Sequence, residues 1–167
     1  MAVWTGAMLI GSWLTARRDA DDGGLGLTMV ALLATSCTVL AVAGQVPAVG
    51  WLIALWVVGG LTNGGENTVA GVLLGRRAPG AVRGRVFAMA GAVINAANLI
   101  GYVLGGALVE VFAPGPLMTA AGLTGLAVVA AAALPVWRAA RRERAATRER
   151  AAASAPAHAE APAEMRA

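Results

Sequence analysis

Charged residues are scarce in this chain, and lysine is absent from it. Only 13% of the 167 residues are charged and 5% are aromatic, and the chain has one cysteine and one histidine. Because soluble domains carry about 25% charged residues, the composition argues against a soluble globular protein. The lone Cys37 excludes an internal disulfide and a cysteine-based metal site, and His158 lies in a polar tail, where we expect it to be solvated.

The chain also lacks the residue sets that enzymes use. The sequence contains no Cys–His pair, no cluster of metal ligands and no phosphate-binding loop. Its Gly-x-Gly spacings lie inside apolar stretches, which is not the context of a nucleotide-binding fold. We therefore expect no catalytic residues, no metal, no cofactor and no enzymatic activity.

Apolar residues and glycine are what the chain has in abundance. It is 58% hydrophobic with 22 glycines, and Gly is more frequent in membrane helices than in soluble ones. About 20 helical residues cross a hydrocarbon core of about 30 Å, so all the apolar segments but the short first one are long enough to span. We predict an all-α membrane protein with five transmembrane helices in a lipid bilayer, at about residues 3–16, 25–43, 50–74, 86–111 and 117–137.

The arginines give these helices an orientation. All 13 basic residues are arginines, and they occur only after the first, third and fifth segments. Cytoplasmic loops are enriched in basic residues, so we predict a multi-pass plasma-membrane protein with its N-terminus outside and its C-terminus cytoplasmic. Because the arginines follow this pattern, we do not expect nucleic acid as a partner.

Two domains follow from this topology. Residues 1–137 form the helical bundle, and residues 138–167 form an Arg- and Ala-rich cytoplasmic tail. From about Ser154 the tail consists mainly of Pro, Ala and Glu. Such a composition cannot build a core, so we expect disorder there.

Polar side chains occur inside two of the apolar segments, where they are costly and usually face a protein interior or a water-filled cavity. Glu66 lies ten residues before Arg76, and Asn95 lies ten residues after Arg85. At about 1.5 Å per residue both are near the bilayer midplane, so we expect the polar faces of the two helices to meet there. The candidate substrate and proton site is Asn63, Glu66, Asn67, Asn95 and Asn98.

Two interpretations of these polar residues stay open. In the functional one, Glu66 binds protons, since a low-dielectric site favours the neutral carboxyl and permits exchange near neutral pH. In the structural one, the amides hydrogen-bond neighbouring helices, as polar residues commonly do in membranes. A Gly-x-x-x-Gly pair, Gly101 and Gly105, also matches a common helix-packing motif.

One stretch of the sequence resembles a known family. It combines Asn63-Gly64-Gly65-Glu66-Asn67 with Pro79-x-x-x-Arg83-Gly84-Arg85, followed by Asn95 and Gly105-Gly106. Residues 1 to about 140 resemble the C-terminal half of the major facilitator superfamily, most closely the bacterial drug- and siderophore-exporter branch.

The resemblance implies that the five segments are helices eight to twelve of a twelve-helix transporter. Helices eight, ten and eleven would then line the central cavity, with nine and twelve peripheral, and Arg83 and Arg85 would lie in a cytoplasmic gate loop. A second family loop would correspond to the connector after the first segment. There Thr15 stands where the family usually has an aspartate, and only Arg17 and Arg18 remain of the loop's basic residues, a departure from the family pattern.

The implied function is proton-coupled efflux of small molecules. The partners would be a small-molecule substrate, protons and the missing N-terminal half of the transporter, because a full transporter has two halves around a midplane site. Two alternatives stay open: a small, non-transporting membrane interaction protein, and a non-functional truncated fragment.

Overall fold

The computed structural model describes residues 2–17 and 22–159, and these residues form five α-helices and one short 3₁₀ helix. The chain enters α3 and leaves it through residues with extended backbone, Ala48 and Ala78. The elements are α1 (Ala2–Ala16), α2 (Asp22–Ala43), α3 (Val49–Arg77), a 3₁₀ helix (Gly80–Val82), α4 (Arg83–Val111) and α5 (Pro114–Ala159).

Four of the helices pack side by side in a row that does not follow chain order. Helix α3 lies between α1 and α2, and α2 lies between α3 and α5. In the described part of the chain, the backbones of α1 and α2 do not approach each other closely, although these helices are consecutive. The polar middle of α3 is therefore flanked by α1 on one side and α2 on the other.

Glycines bring the backbones of α1 and α3 into direct contact. A Cβ atom added at Gly64 would collide with the carbonyl oxygen of Met8, and one added at Gly11 would collide with that of Leu61. A Cβ at Gly60 would lie 2.8 Å from the Cβ of Ala7. The spacing Gly60-x-x-x-Gly64 is the packing motif that the structure uses, since small residues let membrane helices approach closely.

The contact between α2 and α5 is built in the same way. A Cβ at Gly122 would collide with the backbone of Ala41, and one at Gly125 would lie 2.6 Å from the sulfur of Cys37. Near the ends of these helices Gln45 Nε2 donates to Thr119 Oγ1 at 3.0 Å. Small residues thus set the helix spacing at both tight interfaces.

Three helices in the described residues are long and apolar enough to cross a membrane, namely Gly23–Ala43, Gly80–Val111 and Pro114–Arg142. Helix α1 is a shorter apolar helix of 15 residues. Helix α3 has 29 residues, and its polar and glycine-rich middle lowers its hydropathy. The prediction of an all-helical membrane protein is confirmed, with three of the five helices meeting the length and composition criteria for a span.

Helix α4 stands apart from the row. It contacts α3 and α5 only sparsely, Val86 near its start lies beside Leu73 and Leu74 of α3, and no residue of α4 is buried. A Cβ added at Gly101 or Gly105 would meet no other atom within 4 Å. That predicted packing motif therefore has no partner among the described residues.

Helix α5 is 46 residues long and continues past Ser154 to Ala159. Alanine is the best helix former, which accounts for a helix in a segment so rich in it. The predicted disorder from about residue 154 concerns a segment of which residues 160–167 lie outside the described part of the chain.

Candidate functional site

Glu66 faces α2 rather than an open surface. Its side chain is half-buried, and the hydroxyl of Ser36 on α2 donates a hydrogen bond of 2.6 Å to Glu66 Oε1. This length is typical of the strong, charge-assisted hydrogen bonds that hydroxyl groups donate to carboxylates. The one acidic residue in the middle of an apolar segment thus has a specific partner on the neighbouring helix.

A second hydroxyl extends this contact. Thr62 is buried, at 7% exposure, and its Oγ1 lies 2.8 Å from Ser36 Oγ. The same oxygen lies 3.1 Å from the carbonyl oxygen of Val58 and 3.0 Å from that of Gly59, one turn earlier on α3. The carboxyl, two hydroxyls and the backbone of α3 therefore form one continuous polar chain.

A cavity of about 280 Å³ opens beside Glu66. Its walls are apolar except at Ser36 of α2 and at Asn63 and Glu66 of α3. Two indole rings form part of the wall, with the Trp4 and Trp56 ring centroids 5.1 Å apart and their planes at 75°. The lining residues are Trp4, Ser36, Val39, Leu40, Ala43, Leu55, Trp56, Gly59, Asn63, Glu66 and Met118.

This cavity has the composition of a small-molecule site. Such sites are mostly apolar and aromatic, with a few polar groups that fix the orientation of the ligand. Gly59 leaves room for the aromatic wall, since a Cβ there would lie 2.9 Å from the Trp4 ring. An apolar molecule with one polar or cationic end matches this distribution of groups.

The polar residues predicted on one face of α3 lie in two different environments. Asn63 lines the cavity with Glu66, whereas Asn67 is exposed and donates from Nδ2 to the Asn63 carbonyl oxygen at 2.9 Å. The Asn67 amide also lies 3.3 Å from Asn63 Oδ1. Of the three predicted residues on α3, two share the cavity and Asn67 lies outside it.

The expectation that the polar faces of α3 and α4 meet is not met in this structure. Asn95 and Asn98 are exposed on α4, and the cavity beside Glu66 has no lining residue from α4. Equal depth along two consecutive helices does not determine which faces point at each other, and here α2, not α4, covers the polar middle of α3.

The arginines of the predicted gate loop begin a helix. Arg83 is the first residue of α4, Arg85 follows two residues later, and both side chains are exposed. The 3₁₀ helix that precedes them is closed by a 3.0 Å bond from Val82 N–H to the Pro79 carbonyl. Their role in gating stays a prediction.

Ser36 and Thr62 are site residues that the sequence did not single out, as are the two tryptophans of the wall. Hydroxyl side chains are common in membrane helices and often bond their own backbone, as Thr35 and Thr38 do in α2. Only the three-dimensional packing distinguishes Ser36 from these neighbours. Within the described residues no group of three His, Cys, Asp or Glu side chains could hold a metal ion.

The fold and the site define a multi-pass helical membrane protein with a carboxyl group held between helices beside an apolar cavity. The chain matches the family model of the Major Facilitator Superfamily over residues 2–164. It therefore belongs to that superfamily of membrane transporters. No curated protein and no solved structure matches the chain.

Proposed function

We propose that this chain is part of a plasma-membrane transporter that exports small, amphipathic molecules in exchange for protons. Glu66 is the proton-binding group, and the cavity beside it receives the substrate. The observation that carries the proposal is the half-buried carboxyl of Glu66, bonded to Ser36 at 2.6 Å and facing an apolar cavity of about 280 Å³. Ionisable groups inside membrane segments mark substrate and ion pathways by default.

In this proposal the five helices cross the bilayer as helices eight to twelve of a drug- or siderophore-exporter type transporter, with residue 1 outside and the arginine-rich tail in the cytoplasm. Helix α3 crosses despite its polar middle because α1 and α2 enclose that middle. A second, N-terminal half of the transporter completes the cavity, and Asn95 and Asn98 on α4 face it. Arg83 and Arg85 contribute to the cytoplasmic gate. No cofactor or enzymatic step is involved.

The exposed surface of α4 favours a second candidate, a membrane interaction protein without transport activity. Asn95 and Asn98 are uncovered on a helix whose composition suits a membrane span, and an amide facing lipid is costly. Another protein surface that packs on α4 would remove that cost. An in-frame apolar extension upstream of Met1 in the gene would favour the transporter, whereas a promoter and ribosome-binding site directly upstream would favour the stand-alone protein. A truncated relic would show neither transport nor a stable partner.

The test is drug accumulation in cells that express the gene with any in-frame sequence preceding Met1, in wild-type form and as Glu66→Gln. We expect wild-type cells to extrude the drug with a dependence on the proton gradient, and Glu66→Gln to abolish that dependence while the protein still inserts. Glu110→Gln is the matched control, because Glu110 is exposed near the end of α4. Efflux that is unchanged in Glu66→Gln would make Glu66 structural, and absence of efflux from the wild type would favour the interaction protein or the relic.

A further inference from the structure

We propose that Ser36 and Thr62 transmit the protonation state of Glu66 to the backbone of α3 at Gly59, by reversing the direction of the hydrogen bonds that join them. The proposal rests on the proposed function, in which Glu66 takes up a proton. It assigns a positioning role to two hydroxyls and identifies the part of the helix that responds.

The geometry provides three consecutive links. Ser36 Oγ lies 2.6 Å from Glu66 Oε1, Ser36 Oγ lies 2.8 Å from Thr62 Oγ1, and Thr62 Oγ1 lies 3.0 Å from the Gly59 carbonyl oxygen. A hydroxyl has a single hydrogen, an ionised carboxylate has none, and a neutral carboxyl has one. The number of hydrogens in the chain therefore depends on Glu66.

When Glu66 is ionised, only the hydroxyl hydrogens of Ser36 and Thr62 are available for the three hydrogen bonds of the chain. The carboxylate can only accept, so the Ser36 hydrogen is committed to Glu66. The single hydrogen of Thr62 can then be donated either to Ser36 Oγ or to the backbone of α3, where the carbonyls of Val58 and Gly59 are both within bonding distance. One of the three links is left without a hydrogen.

With Glu66 neutral, three hydrogens serve three links. The added proton sits on Oε1 and is donated to Ser36, Ser36 donates to Thr62, and Thr62 donates to the Gly59 carbonyl. Every link is made, and every bond between side chains points from Glu66 towards the backbone. Proton uptake by Glu66 therefore makes Ser36 a donor to Thr62, so that the Thr62 hydroxyl donates its hydrogen to the backbone of α3.

The receiving end of the chain is a place where a helix bends readily. Hydrogen bonds from Ser or Thr to the carbonyl one turn earlier often bend helices, and sharp kinks occur at Gly and at inserted side chains. Gly59 is followed by Gly60, where a Cβ would lie 2.8 Å from the Trp4 carbonyl oxygen of α1. A change at Gly59 therefore acts on the cavity wall and on the contact with α1.

Few other titratable groups compete for control of Glu66. The thiol of Cys37 on α2 interacts electrostatically with it, and Asp22 is the first residue of α2. Helix α1 has no titratable side chain, and neither has α5 before Arg138. On α3 the other ionisable residues, Arg76 and Arg77, lie in its last turn. Glu66 is thus the group that sets the hydrogen count of the chain.

Infrared difference spectroscopy of the full chain in lipid vesicles, recorded as the pH is lowered, tests the proposal. We expect a carbonyl stretching band of a protonated carboxyl that Glu66→Gln removes. Ser36→Ala should move this band to higher wavenumber, because the carboxyl loses its acceptor. Thr62→Val should move it less in the same direction, through weaker cooperativity along the chain, and should have no effect when combined with Ser36→Ala.

Three controls separate transmission from general damage to the fold. Ser36→Thr and Thr62→Ser keep the hydroxyls and should retain the wild-type band. Thr38→Ala removes a hydroxyl of α2 that bonds the carbonyl of Ala34 in the same helix, at 2.7 Å, and should also leave the band in place. In protein labelled with ¹³C at glycine carbonyls, the wild type should show a pH-dependent amide I shift that Thr62→Val abolishes.

The outcomes distinguish this proposal from the proposed function. If no band depends on Glu66, the residue takes up no proton, and both proposals fail. If the band exists but is the same in Ser36→Ala, the transmission fails while proton uptake by Glu66 stands. Three other results would each overturn the transmission. Thr62→Val could still shift the band in the Ser36→Ala background, or Ser36→Thr and Thr62→Ser could behave like the alanine and valine variants. The third is the absence of a pH-dependent glycine signal in the wild type.

Discussion

Replacing Gly64 with alanine should weaken the contact between α1 and α3. The added Cβ would collide with the carbonyl oxygen of Met8, and α3 would have to move away from α1 because the obstructing atom is backbone. That movement would also stretch the bond of 3.0 Å from Ser12 Oγ to the Gly64 carbonyl. Gly64→Ala therefore disturbs both the packing and a hydrogen bond between the two helices.

The expected size of the effect follows from two opposing terms. Overpacking costs about 1–3 kcal/mol, and alanine recovers up to about 1 kcal/mol over glycine through its helix propensity. Because the obstructing atom is backbone, the overpacking cost should lie in the upper part of its range, and we expect Gly64→Ala to lower the free energy of unfolding by about 1–2 kcal/mol. The measurement is loss of helical circular dichroism as a denaturing detergent replaces a mild one.

The matched control lies on the same helix. A Cβ at Gly71 would meet no other atom within 4 Å, so Gly71→Ala should leave the stability unchanged or raise it by up to about 1 kcal/mol. Equal unfolding curves for the Gly64 and Gly71 variants would show that α1 and α3 do not approach as closely as the structure has them, and would refute the reasoning.

Three further predictions use other parts of the fold. Gly125→Ala should destabilise the protein by about 1 kcal/mol, and Cys37→Ala should restore it in the same unfolding assay, because the obstructing atom is the Cys37 sulfur at 2.6 Å. In a Cys37→Ala background, an impermeant thiol reagent should label Ala81→Cys from the cytoplasm and Ala48→Cys from outside, and the opposite pattern would invert the proposed topology. In the purified chain, without the proposed N-terminal half, Asn98→Leu should change the free energy of unfolding by less than about 0.5 kcal/mol, since Asn98 is exposed; a larger loss would mean that a second copy of the chain covers it.

The positions of the helices could be predicted closely from the sequence. The apolar segments predicted at about 25–43 and 86–111 correspond to α2 (Asp22–Ala43) and α4 (Arg83–Val111). Long apolar runs indicate where a helix lies, and the Gly- and Pro-containing connectors indicate where it ends. Neither signal depends on what the helix packs against, which is why it can be read without the structure.

The partners of each helix could not be predicted in this way. The sequence predicts one polar face for Glu66 and Asn67, but consecutive helical residues point about 100° apart. Of these two residues, Glu66 bonds to α2 and Asn67 is exposed. Nothing in the sequence distinguishes Ser36 from other serines of membrane helices, and only the structure shows that Glu66 lies opposite it. The packing glycines show the same limit, because Gly101 and Gly105 match the motif as well as Gly60 and Gly64 do, while only the latter pair has a helix against it.

The low hydropathy of the middle of α3 is explained by the two contacts that it makes at once. Gly60 and Gly64 admit the backbone of α1, whereas Thr62 and Glu66, on the same two turns, bond to Ser36 of α2. A large apolar residue at any of these positions would favour insertion into lipid but would remove either the close approach or the polar chain. In the proposed function, packing and proton binding are therefore coupled in one segment, and a substitution that separates α1 from α3 should also alter the hydrogen bonds of Glu66.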